Sequence, residues 1–140
     1  MPSNFIEIAS WYGRCRICDF HYSKDEPAEA REHRGYHRRY LQACDEGWAP
    51  VNRADRKQMM EEGAELLRHG ATFSERMRGA ELQLEALFHD HLAAVLRGTE
   101  SRRSYFELVT DMDTSGRLDG RYEKDIADEL SHRYSNRPRR

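Results

Sequence analysis

Residues 15–37 read CRICDFHYSKDEPAEAREHRGYH, and four side chains in this stretch decide how the N-terminal part folds. Cys15 and Cys18 form a C-x2-C knuckle. His33 and His37 form an H-x3-H pair. Zinc takes four soft or borderline ligands in a tetrahedron, and a tight cysteine turn facing two imidazoles one helical turn apart supplies them. The spacing therefore predicts a small ββα zinc finger with Cys15, Cys18, His33 and His37 as ligands to Zn2+. Trp11–Tyr22 suits a short hairpin, with turns at Gly13 and the cysteine knuckle. Asp25 or Glu26 can cap a helix whose first turn carries Pro27, and this helix is expected to reach Ala43 or Cys44. Tyr22, Ala30, Tyr36, Tyr40 and Phe20 are the candidate cover for the metal.

The rest of the chain bounds what such a finger can be attached to. The 140 residues are 38% apolar and 34% charged, which allows one domain or one domain with an appendage, a thin core and a very polar surface. The net charge is −2, and neither side of residue 50 has an excess of basic over acidic groups, so no global field draws the chain to nucleic acid or anionic lipid. Three cysteines, one of them (Cys44) without a sequence partner, suit a metal pair and a spare thiol better than a disulfide framework. With no leader-like or long apolar run, the expectation is an intracellular protein without a membrane partner, cytoplasmic, or nuclear if eukaryotic.

The detail of residues 13–48 resembles the zinc finger of the sister-chromatid cohesion acetyltransferases. Shared features are C-x2-C, a tyrosine four residues on (Tyr22), fourteen residues between the ligand pairs, Glu32 just before His33, Tyr36 directly before His37, and a following Gly47-Trp48. The resemblance covers the finger only. An enzyme of that family holds acetyl-CoA in an R/Q-x-x-G-x-G/A loop between strand and helix, and residues 51–140 contain none. The acetyltransferase domain is absent, and no other catalytic constellation is visible.

In DNA-reading fingers the base contacts lie one, four and seven or eight residues before the first histidine. Here those places hold Glu32, Glu29 and Glu26, which would face phosphates. The basic side chains cluster later, at Arg31, Arg34, Arg38 and Arg39, interleaved with Tyr36 and Tyr40. They are candidate nucleic-acid contacts, together with the Arg137–Arg140 tail, or a solvated face paired with Glu32 and Asp45.

Beyond the DEGWAP break the pattern is helical, and the domain organisation expected is a finger segment over 1–50 and a helical domain over 51–140. Helices are expected over about 54–68, 74–97, 102–109 and 122–134, a bundle of about four. Met77, Ala80, Leu84, Leu87, Phe88, His91 and Val95 form the clearest apolar stripe. His89 and Glu85 suit a surface pair. Residues 111–123, DMDTSGRLDGRYE, follow the order of an EF-hand calcium loop, with Asp111, Asp113, Ser115 and Asp119 as candidate oxygens. The twelfth place, which calls for a bidentate glutamate, is Tyr122. A helix–loop–helix turn is the other reading of these residues.

The sequence thus predicts a mainly α protein: a ββα zinc finger joined to a helical bundle. Its expected role is a zinc-binding adaptor or regulatory protein that works by protein–protein interaction, with a mainly structural finger. The alternative is a nucleic-acid-binding regulator. Trp11, Trp48 and Tyr105 are candidate exposed aromatics that would also permit self-association.

Overall fold

A computed structural model describes residues 6–9, 12–15, 18, 20–23, 26–44 and 47–135, with side chains for 18, 20, 26–44 and 47–135. The fold is mainly helical. The chain divides into two compact units, Met1–Pro50 with Leu92–Arg102, and Val51–His91 with Arg103–Arg140.

The first unit begins with three short strands, β1 (Ile6–Ala9), β2 (Tyr12–Cys15) and β3 (His21–Ser23), paired antiparallel in the order β1-β2-β3. Ile8 stands opposite Gly13, and Gly13 opposite Tyr22. Gly13 is therefore inside a strand and not in the turn expected there, and β1 adds a strand ahead of the expected hairpin. β3 packs against α1 (Pro27–Ala43). Pro27 starts this helix where a missing N–H is harmless. Glu26 is the N-cap residue through its extended backbone alone, without the side-chain bond expected of it.

The same unit holds the end of α3 (Phe73–Arg97), which closes in a Schellman turn. Gly98 takes φ 79°, a left-handed conformation that a Cβ disfavours. Its N–H donates to the Val95 carbonyl (3.0 Å), and that of Thr99 donates to the Ala94 carbonyl (3.0 Å). This leaves the Leu96 carbonyl for another donor, and Arg39 of α1 supplies it.

The second unit is built from α2 (Arg53–His69), the earlier turns of α3, α4 (Tyr105–Thr114), α5 (Arg117–Arg121) and α6 (Lys124–Tyr134). The Asn52 side chain caps α2 by accepting from the Asp55 N–H at 2.8 Å. Met77, Ala80 and Leu84 of α3 meet Val109 and Met112 of α4, Leu118 of α5 and Ile126, Ala127 and Leu130 of α6 in one core. The apolar stripe expected on α3 is buried, except that Leu87 is half-buried.

The helix over 102–109 is displaced: α4 starts at Tyr105 because Ser104 and Glu107 form a capping box, and it runs on to Thr114. A fifth element, α5, stands where the calcium loop was expected. α2 and α3 approach through two glycines. A Cβ on Gly63 would sit 2.5 Å from the Gly79 carbonyl oxygen, and one on Gly79 would sit 2.6 Å from that of Gly63.

Candidate metal centre

The turn between β2 and β3 and the middle of α1 bring three potential ligands together. Cys18 is buried in that turn, and His33 and His37 are half-buried on one face of α1. Their ligand atoms all lie within 4.8 Å of one another. Ligand atoms around a single tetrahedral ion sit about 3.3–3.8 Å apart, so about 1 Å of side-chain movement brings the three onto a metal. Among the described residues this is the group of His, Cys, Asp and Glu side chains that could hold a metal ion. Cys15 ends β2, opposite Ile6, and its side chain lies outside the described residues.

The surroundings suit neutral imidazole. The two histidine rings stand edge to face, with centroids 5.4 Å apart and planes at 85°. Phe20 stacks on His33 at 5.7 Å and 16° and also meets Tyr36 at 5.2 Å. Burial pushes His33 below the ordinary histidine value, and His37 and Arg34 push it the same way. A lowered value leaves the ring a lone-pair donor near neutral pH, as a metal ligand must be. Further along α1, Tyr40 is raised, first by burial and then by the nearby Cys44 thiol, with Cys18 also near. Cys44 is a free, half-buried thiol. The Tyr22 side chain lies outside the described residues. Ala30 is half-buried on α1, one turn before His33.

The four arginines of α1 separate. Arg31, Arg34 and Arg38 are exposed, whereas Arg39 is half-buried and donates from Nε to the Leu96 carbonyl at 2.7 Å. Arg39 thus has its Nε engaged as a cap on the last turn of α3. Nothing in the local sequence announces this bond, which joins residues 57 positions apart. Of the carboxylates at the base-reading places, Glu26 and Glu32 are exposed and Glu29 is half-buried. The arginines of the 137–140 tail lie outside the described residues.

Residues 111–123 do not form the open twelve-residue loop that the calcium reading expects. Asp111 and Asp113 belong to α4, Asp119 belongs to α5, and only Ser115 and Gly116 separate the two helices. Asp111 is paired with Arg103, and the Ser115 hydroxyl donates to the Met112 carbonyl at 3.2 Å. The physical reason is the core. Leu118 and Tyr122 are buried, and the segment coils so as to bury them. Gly116, at φ 79°, makes the reversal.

Two further expectations change. Tyr105 is not an exposed aromatic. It is half-buried, edge to face with Phe88 at 5.6 Å and with Tyr134 at 5.7 Å, and burial raises its hydroxyl well above the usual tyrosine value. Trp48 is half-buried, and Trp11 lies outside the described residues. His89 is buried and not a surface partner of Glu85. Burial lowers it, and Arg56 does so further, against an opposing effect of Asp90. His91 is the core histidine expected: it is buried, and its Nε2 accepts from the Arg103 N–H at 3.0 Å.

Compared with family models, with curated proteins and with solved structures, the chain matches none. No helix among the described residues is long and apolar enough to cross a membrane.

Proposed function

We propose that the N-terminal strands and α1 form a zinc-binding ββα finger of the kind found in the cohesion acetyltransferases, with Cys15 completing the set of Cys18, His33 and His37. The protein acts by binding another protein, and the finger's zinc is structural. The convergence of Cys18, His33 and His37 within 4.8 Å carries the metal reading. The softness of thiolate with two imidazoles favours zinc over calcium or magnesium, which take oxygen ligands. Two cysteines and two histidines fill four positions and leave none open for a catalytic water, which favours a structural role.

Protein rather than nucleic acid is favoured because Glu26 and Glu32 are exposed on the helix and Arg39 is engaged in capping. Elemental analysis of the purified chain is expected to give one zinc per molecule. Cys18→Ser and His37→Ala should lose it. Amide exchange over 26–44 should then accelerate strongly, because binding energy of a structural zinc, on the order of 10 kcal/mol in small fingers, is folding energy. A chain that carries no metal and keeps those amides protected in strong chelator refutes the proposal.

A further inference from the structure

α1 has a second face, about a third of a turn around the helix from His33 and His37. Arg31, Arg34 and Arg38 fall at i, i+3 and i+7, so they line one stripe about 10 Å long at a rise of 1.5 Å per residue. All three are exposed. The arginines of the second unit show how this protein usually treats the residue: Arg56 pairs with Asp90, Arg76 with Glu123 and Asp125, Arg103 with Asp111, and Arg133 with Glu81 and Glu129. No such ion pair forms between Arg31, Arg34 or Arg38 and a carboxylate among the described residues. The pairing with Glu32 expected for this cluster is not formed, and Asp45, the other expected partner, lies outside the described residues.

Beside the stripe lies an open groove of about 610 Å3, with Phe20, Ala28 and Gly35 as apolar lining and Arg31 and Glu32 among its polar residues. Gly35 is in mid-helix, where glycine costs about 1 kcal/mol relative to alanine. Packing does not demand it, since a Cβ there would make only an ordinary 3.5 Å contact with Arg39. Its missing side chain keeps the groove open.

We propose that this face of α1 docks an acidic segment of a partner protein, its carboxylates on Arg31, Arg34 and Arg38 and one apolar side chain in the groove beside Phe20. A helix with acidic residues at the same i, i+3, i+7 spacing matches the stripe in length. The occupant is a protein and not a nucleic acid for two reasons. The groove asks for an apolar side chain, which a phosphate backbone lacks, and its Phe20 ring is already stacked on His33. Glu32 stands in the same groove, where a continuous line of phosphates would meet it, whereas a peptide can set its carboxylates on the stripe and an uncharged side chain in the groove. The exposed Leu41, one turn beyond Arg38, adds apolar surface at the end of the stripe.

The proposal rests on the protein-binding reading given above, and one experiment separates the two. Helical peptides of about four turns, displayed as a library, are selected against the full chain with its zinc content measured. The best peptides, and a short duplex DNA, are then titrated by fluorescence anisotropy. Enrichment of acidic residues at the stated spacing beside an apolar residue is expected. Arg31→Gln, Arg34→Gln and Arg38→Gln together should weaken the selected peptide about tenfold. Gly35→Leu, which fills the groove, should weaken it about threefold or more. Amide protection over α1 and zinc content confirm that each variant is folded.

Unbiased selection, binding unchanged in the triple variant, or tighter binding of the duplex overturns the proposal. So does concentration-dependent self-association that the triple variant abolishes, which would make a second copy the occupant. A zinc-loaded chain that selects no acidic peptide defeats this inference alone, whereas a chain without zinc defeats the function it rests on as well.

Discussion

Gly63→Ala is expected to destabilise the second unit, although the substitution places a better helix former in mid-helix. Alanine gains about 1 kcal/mol over glycine in an exposed helix interior. At position 63 the new Cβ would lie 2.5 Å from the Gly79 carbonyl oxygen and 2.6 Å from the Gln83 Cγ. Ordinary contact begins near 3.4 Å, so α2 and α3 must part by about 0.9 Å or Gln83 must leave its place. The carbonyl is helix backbone and cannot step aside alone. Gln83 is not free to move either: its Nε2 donates to the Met60 carbonyl at 3.3 Å, and its Oε1 accepts from the buried Tyr122 hydroxyl at 3.2 Å. Overpacking of this kind costs about 1–3 kcal/mol, and each hydrogen bond lost adds about 1 kcal/mol. The clash exceeds the propensity gain, leaving a net loss of about 1–3 kcal/mol. In a unit of this size that corresponds to a fall in Tm of about 5–15 °C.

Gly120→Ala is the control. A Cβ there meets nothing within 4 Å, so propensity acts unopposed and Tm should hold or rise. Thermal unfolding followed by helical circular dichroism reads both. A Gly63→Ala variant as stable as the parent would show that the two helices do not meet backbone to backbone, and the argument would fail.

Two other outcomes follow from single contacts. Arg39→Ala removes the donor to the Leu96 carbonyl and should destabilise the first unit by about 1–3 kcal/mol, the range for a charged hydrogen bond, with faster exchange at the Gly98 and Thr99 amides. Arg34→Ala, on the exposed stripe, should change stability by less than about 0.5 kcal/mol, so equal losses in the two variants would refute the capping role. His89 gives the second unit a pH dependence. Its folded value is lowered, chiefly by burial, so the unfolded chain binds the proton more readily. The stabilisation is complete above the ordinary value of about 6.5 and is lost as the pH falls through the lower folded value. Exchange protection in α4 and α6 should therefore weaken between neutral pH and about pH 5, and His89→Gln should flatten that slope. An unchanged slope would show that His89 titrates alike in both states.

The cluster of Cys18, His33 and His37 and the main helices could be read in the sequence because each depends on residues close together in it. Cys18, His33 and His37 are set by a tight turn and one helical turn, so their convergence follows from local geometry. The stripe from Met77 to Val95 is likewise a local period, and it is buried as that period requires. What escaped was decided between segments distant in sequence. Arg39 looked like a phosphate ligand because its neighbours at 31, 34 and 38 are basic, but the last turn of α3 offers it a carbonyl that the Schellman turn leaves unused. The order of side chains in 111–123 suited a calcium loop. Tyr122, which spoiled the twelfth ligand place, belongs to the buried core, and that same burial coils Arg117–Arg121 into a helix. His89 looked like a surface partner of Glu85 until α2 brought Arg56 beside Asp90 and the ring was covered. Where local chemistry and tertiary burial competed for a residue, burial decided. That contrast gives the stripe on α1 its weight: among the described residues Arg31, Arg34 and Arg38 pair with no carboxylate, whereas Arg76, Arg103 and Arg133 of the other unit do.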